Sequence, residues 1–248
     1  MLGYILNFAK LLWLIPTNRI VYFEGVCKQI MAEEPRKPLV QLFPKASECV
    51  YTSCYCEENV WKLCHDVSER QKCELQFCYV VFVSNPWRSV PLWRQRPGKG
   101  EDKLVVWDFH VFFIYAPDDR AVVYDLDSVL PFPTHFWKYA METFRSDEVV
   151  QPEHHRRFRV LPATVYLREF ASDRHHMKRE DGTWIKKPPD YPAISISTCK
   201  DNLDSFINMD PGTGFGVVLT LDQLFDRFHR PNANATAPRT PHPQPTPT

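Results

Sequence analysis

Three residues met in chain order, Cys56, His110 and Asp125, carry the chemistry this sequence can do. Cys56 stands in Cys54-Tyr55-Cys56-Glu57-Glu58-Asn59-Val60, His110 in the apolar run Leu104–Tyr115, and Asp125 in Arg120–Asp127. A thiol beside an imidazole that is itself oriented by a carboxylate is an arrangement for attack on a carbonyl. The histidine takes the proton, and the aspartate sets its tautomer and supports the imidazolium. Singly, each has an ordinary explanation: a small buried thiol, a core histidine with its hydrogen bonds met, an acid capping a turn. Together they outweigh those explanations, because an imidazole and two acids inside otherwise apolar strands need partners when buried.

The elements that must position them are legible in outline. Val60, Leu63, Cys64 and Val67 recur at helical spacing, while Glu57, Glu58, Lys62, Asp66 and Glu69 fall mostly on the other side, so a helix begins near Cys56. Its unpaired first-turn N–H groups and dipole favour a thiolate, whereas Glu57 and Glu58 oppose one, so a base is required. Phe77–Ser84 is a buried strand ended by Asn85-Pro86, and Val90–Trp93 a short edge-type piece because of Pro91. Leu104–Tyr115 and Arg120–Asp127 form a hairpin. With 116–119 as its loop, Tyr115 pairs with Arg120 and His110 stands opposite Asp125, close enough for a hydrogen bond. A slip of one residue would put the two on opposite faces.

Beyond the break Leu130–Pro133, Phe136, Tyr139, Ala140, Thr143 and Phe144 predict a helix over Thr134–Arg145. Arg157–Leu161 reads as extended, Val165–Ala171 as helical, Asp181-Gly182 as a turn and Gly216–Leu219 as the last strand. Thr220 and Gln223 make a capping box for a helix to about Phe228. The fold class expected is α+β, with one domain over 47–230.

Lys+Arg and Asp+Glu balance at 30 each, which gives no bulk attraction to nucleic acid or anionic membrane. Residues 1–46 form an N-terminal extension and linker. Their apolar stretch 1–16 holds Asn7 and Lys10, stops at Pro16 and is shorter than a membrane span. From 231 the Pro- and Thr-rich tail lacks the hydrophobicity to fold. The eight cysteines lie mostly in apolar runs of a chain too long to depend on disulfides, which predicts free thiols in a reducing compartment. Cys54-x-Cys56 has the wrong spacer for a zinc knuckle, so no metal or other cofactor is expected.

Tyr51–Cys64, Val106-Trp107-Asp108-Phe109-His110-Val111, Tyr124–Pro133, Phe170–Met177 and Asn208-Met209-Asp210-Pro211 resemble the protein N-terminal glutamine amidohydrolases. The likeness runs from about Cys49 to Phe228. It implies a monomeric enzyme with a papain- and transglutaminase-like cysteine hydrolase core, an antiparallel sheet packed against helices. The reaction it implies turns an N-terminal glutamine of a protein into glutamate, in the arginylation branch of the N-degron pathway, in the cytoplasm and also the nucleus. The family's nucleophile, histidine and aspartate fall on Cys56, His110 and Asp125. The doubled His175-His176 departs from the small polar residue expected before the histidine and leaves the triad intact. Recognition of a chain end needs an acceptor for the α-ammonium, for which Glu57, Asp127 and Asp173 are candidates. Two rivals remain: transglutaminase-like transfer to an amine by the same triad, and a non-enzymatic scaffold with a structural Cys56.

Overall fold

The computed structural model describes residues 38–229. Eight strands are present among them: β1 (Cys78–Ser84), β2 (Val90–Leu92), β3 (Val105–Trp107), β4 (His110–Tyr115), β5 (Val122–Tyr124), β6 (Thr134–His135), β7 (Arg157–Pro162) and β8 (Val217–Leu219). Five α-helices join them: α1 (Cys56–Arg70), α2 (Phe136–Thr143), α3 (Ala163–Glu169), α4 (Leu203–Ile207) and α5 (Leu221–Phe228). Six strands form one antiparallel sheet in the order β6-β5-β4-β1-β7-β8, and β2 and β3 pair separately. The fold is therefore α+β, consistent with a transglutaminase-like core.

Every residue of β4 is buried, so both faces of the sheet are covered. On one face Val81, Val83, Phe112 and Ile114 pack with Phe136, Tyr139 and Ala140 of α2 and Leu221, Leu224 and Phe228 of α5. On the other, Phe82 meets Tyr166 of α3 and Phe206 of α4, with ring centroids 5.7 and 5.4 Å apart. α1 joins this second layer, packing on β4 and tied to α3 by the Tyr166 hydroxyl, which donates to the Glu57 carbonyl at 3.0 Å.

The stripe Val60, Leu63, Cys64 and Val67 is buried as its spacing predicts. Glu57, Glu58 and Asn59 are buried too, although their types suggest an outer face. Each pays for its burial with specific partners or a shifted charge. Asn59 exchanges two hydrogen bonds with the Thr52 backbone, and Glu58 takes two from Arg174 at 2.6 and 2.8 Å.

Three expectations need correction. The hairpin pairs Tyr115 with Val122 and Phe113 with Tyr124, so its loop is 116–121 rather than 116–119. Carried on, this register sets Asp125 opposite Phe112 and not His110. The slip is of two residues, which keeps Asp125 on His110's face. Secondly, Leu104–Tyr115 is not one strand. The chain leaves β3 at Asp108-Phe109 and enters the main sheet at His110. An apolar run has the same composition whether it serves one sheet or two. Thirdly, Leu42 and Phe43, placed in a linker by their proline-rich surroundings, are buried. Phe43 packs on Phe113 and Tyr124, so the folded unit starts before residue 47. Residues 1–16 and the tail from 231 lie outside the described residues. Among the described residues no helix is long and apolar enough to cross a membrane.

Candidate active site

Cys56, His110 and Asp125 come together at one end of the sheet, where β4 begins and β1 and β5 end. Cys56 is the first residue of α1, after a Tyr55 N-cap that offers no side-chain hydrogen bond. Its first-turn N–H groups therefore stay free of intrahelical partners. His110 is the first residue of β4, and the thiol of Cys56 meets the backbone N–H of the next residue, Val111. Asp125 follows β5 directly.

His110 is fully buried, and its Nε2 lies 3.0 Å from Asp125 Oδ1. Asp125 also accepts from the Tyr139 hydroxyl at 2.8 Å and from the Asp127 N–H at 2.9 Å. Burial works to raise the Asp125 pKa, but His110, Tyr139 and the Asp127 N–H outweigh it and hold the carboxyl below its usual range. An ionised carboxylate can only accept, so Nε2 must carry the proton and Nδ1 the lone pair. His110 Nδ1 is buried with no hydrogen-bond partner among the described residues. The imidazole is thus a base whose free nitrogen is already selected. Trp107 stacks on the ring at 5.4 Å and 20°, which limits its rotation. Burial draws the His110 pKa down, yet Asp125, Asp127 and Glu57 more than offset that, and the net shift is upward.

The surroundings of the Cys56 thiol disfavour its ionised form. Burial first, then the charges of Glu57 and Asp127, push its pKa well above the ordinary value, against the pull of the Val111 N–H. Its Sγ lies 3.7 Å from Glu57 Oε2, to which the thiol donates. Burial lifts the Glu57 carboxyl to about 8. The helix start therefore positions the thiol without lowering its pKa.

A cavity of about 320 Å3 opens on the site, lined among others by Cys56, Trp107, Asp108, Phe109, Asp127 and His176. Of the three candidate ammonium acceptors, Asp127 lines it, buried, with the Tyr51 hydroxyl donating to its Oδ1 at 2.6 Å. Glu57 is wholly buried beside the thiol and does not line the cavity. Asp173 is exposed, does not line it, and accepts from the His175 backbone N–H at 2.8 Å. Cys54 does line it, in a left-handed backbone conformation at φ 69°. The seven described cysteines are all free thiols.

Sequence reasoning missed Tyr139, Tyr51, Trp107 and His176. Tyr139 carried a usable signal, since a tyrosine in a buried helical stripe needs a partner for its hydroxyl. Tyr51 reaches the site from a loop and His176 from the single 3-10 turn His175–Met177, both too short for periodicity to register.

Residues 51–228 match the family described as N-terminal glutamine amidase. Proteins named protein N-terminal glutamine amidohydrolase from Drosophila mojavensis, Drosophila ananassae and Drosophila melanogaster are each 56% identical to this chain over 190 residues. Those alignments cover 76% of this chain and 93% of each relative.

Proposed function

The chain belongs to the N-terminal glutamine amidase family, and on that premise we propose that it hydrolyses the side-chain amide of a glutamine at the start of a protein or peptide, with Cys56 as nucleophile. The observation that carries the roles is the His110 ring, with Nε2 bound to Asp125 and Nδ1 without a partner among the described residues, while the Cys56 thiol at a helix start meets the N–H of the adjoining Val111.

As Cys56 Sγ attacks the carboxamide carbon, its proton passes to His110 Nδ1. The oxyanion is met by the Cys56 backbone N–H at the start of α1. The imidazolium, supported by Asp125, gives its proton to the amide nitrogen. The C–N bond breaks, ammonia leaves, and a thioester remains. Water, deprotonated by the same Nδ1, attacks the thioester, and the sulfur departs with that proton. The balance is one amide and one water consumed, one carboxylic acid and one ammonia released. The product chain begins with glutamate and would enter the arginylation branch of the N-degron pathway. A reducing compartment, cytoplasm and nucleus, suits a catalytic thiol acting in a monomer.

Mass spectrometry of a Gln-initiated peptide, with and without an added primary amine, tests the reading. The amide-to-acid change with ammonia release is expected in both samples. An amine adduct as the main product would assign the site to transfer, and no change would leave Cys56 structural. Peptides carrying Gln internally, or Asn first, should stay intact, because Asn is one methylene short of the thiol when its chain end is held. Cys56→Ser should abolish turnover and Cys54→Ser should retain most of it. Equal loss in two folded variants would sink the assignment of Cys56.

A further inference from the structure

A glutamine confined to the start of a chain differs from an internal one by its α-ammonium, so the cavity needs an anionic group for it. Resting on the amidohydrolase reading, we propose that Asp127, held by Tyr51, binds the α-ammonium of the substrate and thereby restricts the enzyme to chain ends.

Asp127 is 3% exposed and faces the cavity. Tyr51 donates to Oδ1, and Oδ2 receives no hydrogen bond from the described residues. Arg96 lies over the Tyr51 ring at 5.3 Å and makes no ion pair with Asp127. A carboxylate so enclosed, with one side-chain donor and with Arg96 and His110 near it but not paired to it, lacks much of the stabilisation its charge needs. An ammonium arriving in the cavity supplies it. Burial accordingly raises the pKa of this carboxyl in the empty site, and a bound cation would bring it down.

The spacing suits glutamine. One ligand atom each of His110, Asp125 and Asp127 all lie within 4.8 Å of one another, and the Asp127 N–H is bonded to Asp125. In an extended glutamine the α-nitrogen and the side-chain carbonyl carbon are roughly 5 Å apart, from ordinary bond lengths and angles. An ammonium seated on Asp127 therefore leaves the carboxamide one extended side chain away, inside the cavity that Cys56 also lines. The other acids serve less well. Glu57 is off the cavity and neutral below about 8, Asp173 is off the cavity, and Asp108 is exposed with Oδ1 taken by the Phe109 N–H at 2.9 Å. Tyr51 is a positioning residue, which holds the carboxylate through Oδ1 and leaves Oδ2 for the ligand.

The test compares a Gln-initiated peptide with the same peptide begun by 4-carbamoylbutanoyl, which is glutamine without its α-amino group. The wild-type enzyme should favour the amine-bearing peptide by about 10–150-fold in kcat/KM, the worth of one charge-assisted hydrogen bond. In Asp127→Asn that ratio should collapse toward one, with the loss on the Gln peptide falling mainly in KM. In Tyr51→Phe it should shrink several-fold, which also decides the matter if Asp127→Asn does not fold. A ratio kept at its wild-type value in both variants would overturn the proposal, whether both peptides fall together or neither falls. Failure of the amidohydrolase reading looks different: no acid product from either peptide with the wild-type enzyme.

Discussion

The His110 proton is set by Asp125, which gathers three donors in a buried site. Replacing Asp125 by Asn offers Nε2 a group that can donate, and the proton can then move to Nδ1, where it blocks uptake from the thiol. Turnover should fall by roughly 10³–10⁴-fold with the fold intact by circular dichroism. Tyr139→Phe removes one donor of three and should cost about tenfold. As the proposed base His110 must be neutral, so activity should fall as pH drops through its raised pKa. Removing the Asp125 charge should shift that acid limb to lower pH, read from kcat/KM against pH. Glu57 works the other way on stability. Its folded pKa of about 8 lies above the ordinary carboxyl value, so the folded state holds a proton that the unfolded state releases. Stability should therefore decline as pH rises from about 4.5 to 8. Glu57→Gln should flatten that decline, seen as a Tm that changes less between pH 5 and pH 8.5 than in the wild type. An identical pH dependence would contradict the assignment.

At the scale of elements, the start of α1 is held by charge as much as by apolar packing. Arg174, in a left-handed conformation at φ 66°, reaches back to bind Glu58 with Nε and a terminal nitrogen. Both residues are buried. Arg174→Ala would strand the Glu58 charge and should cost about 3–5 kcal/mol in urea unfolding. Adding Glu58→Gln should recover part of that, because the stranded charge is gone. If the double variant is no more stable than the single one, the pair is not what holds this helix start. The strand elements depend less on exact pairing. A two-residue slip in the β4–β5 hairpin moved Asp125 along the strand without turning it from His110's face, which is why the acid still reaches Nε2.

Across the whole molecule, the site lies where the chain passes between its two sheets. Asp108 and Phe109 link β3 to β4, and the ends of β1 and β5 complete the same corner. Each wall of the cavity thus comes from a different part of the chain, joined by the core behind it. Phe43 belongs to that core through edge-on contacts at 5.4 Å to Phe113 and 4.8 Å to Tyr124. Phe43→Ala should cost about 3–5 kcal/mol, measured by denaturant unfolding. A fragment starting at residue 47 should be less stable than one starting at 38 for the same reason. Equal midpoints for the two fragments would restore the later boundary.

Spacing was enough to place the helix beginning at Cys56, the α2 stripe and the Thr220–Gln223 capping box. The cost of a buried ionisable group was enough to expect a hydrogen bond between His110 and Asp125, although the register offered for it was two residues off. These rest on spacing within one segment, or on the cost of burying an ionisable group without a partner. The motifs around Cys56, His110 and Asp125 also carried the family, which the match over 51–228 bears out. Packing between distant segments settled the hairpin register, the division of Leu104–Tyr115 between two sheets and the burial of Phe43. A loop of four residues and one of six are both compatible with the same hydrophobic alternation. Tyr51 and His176 were out of reach because they come to the site from other segments, and for Tyr139 periodicity records which face the side chain takes, not that it meets Asp125 there.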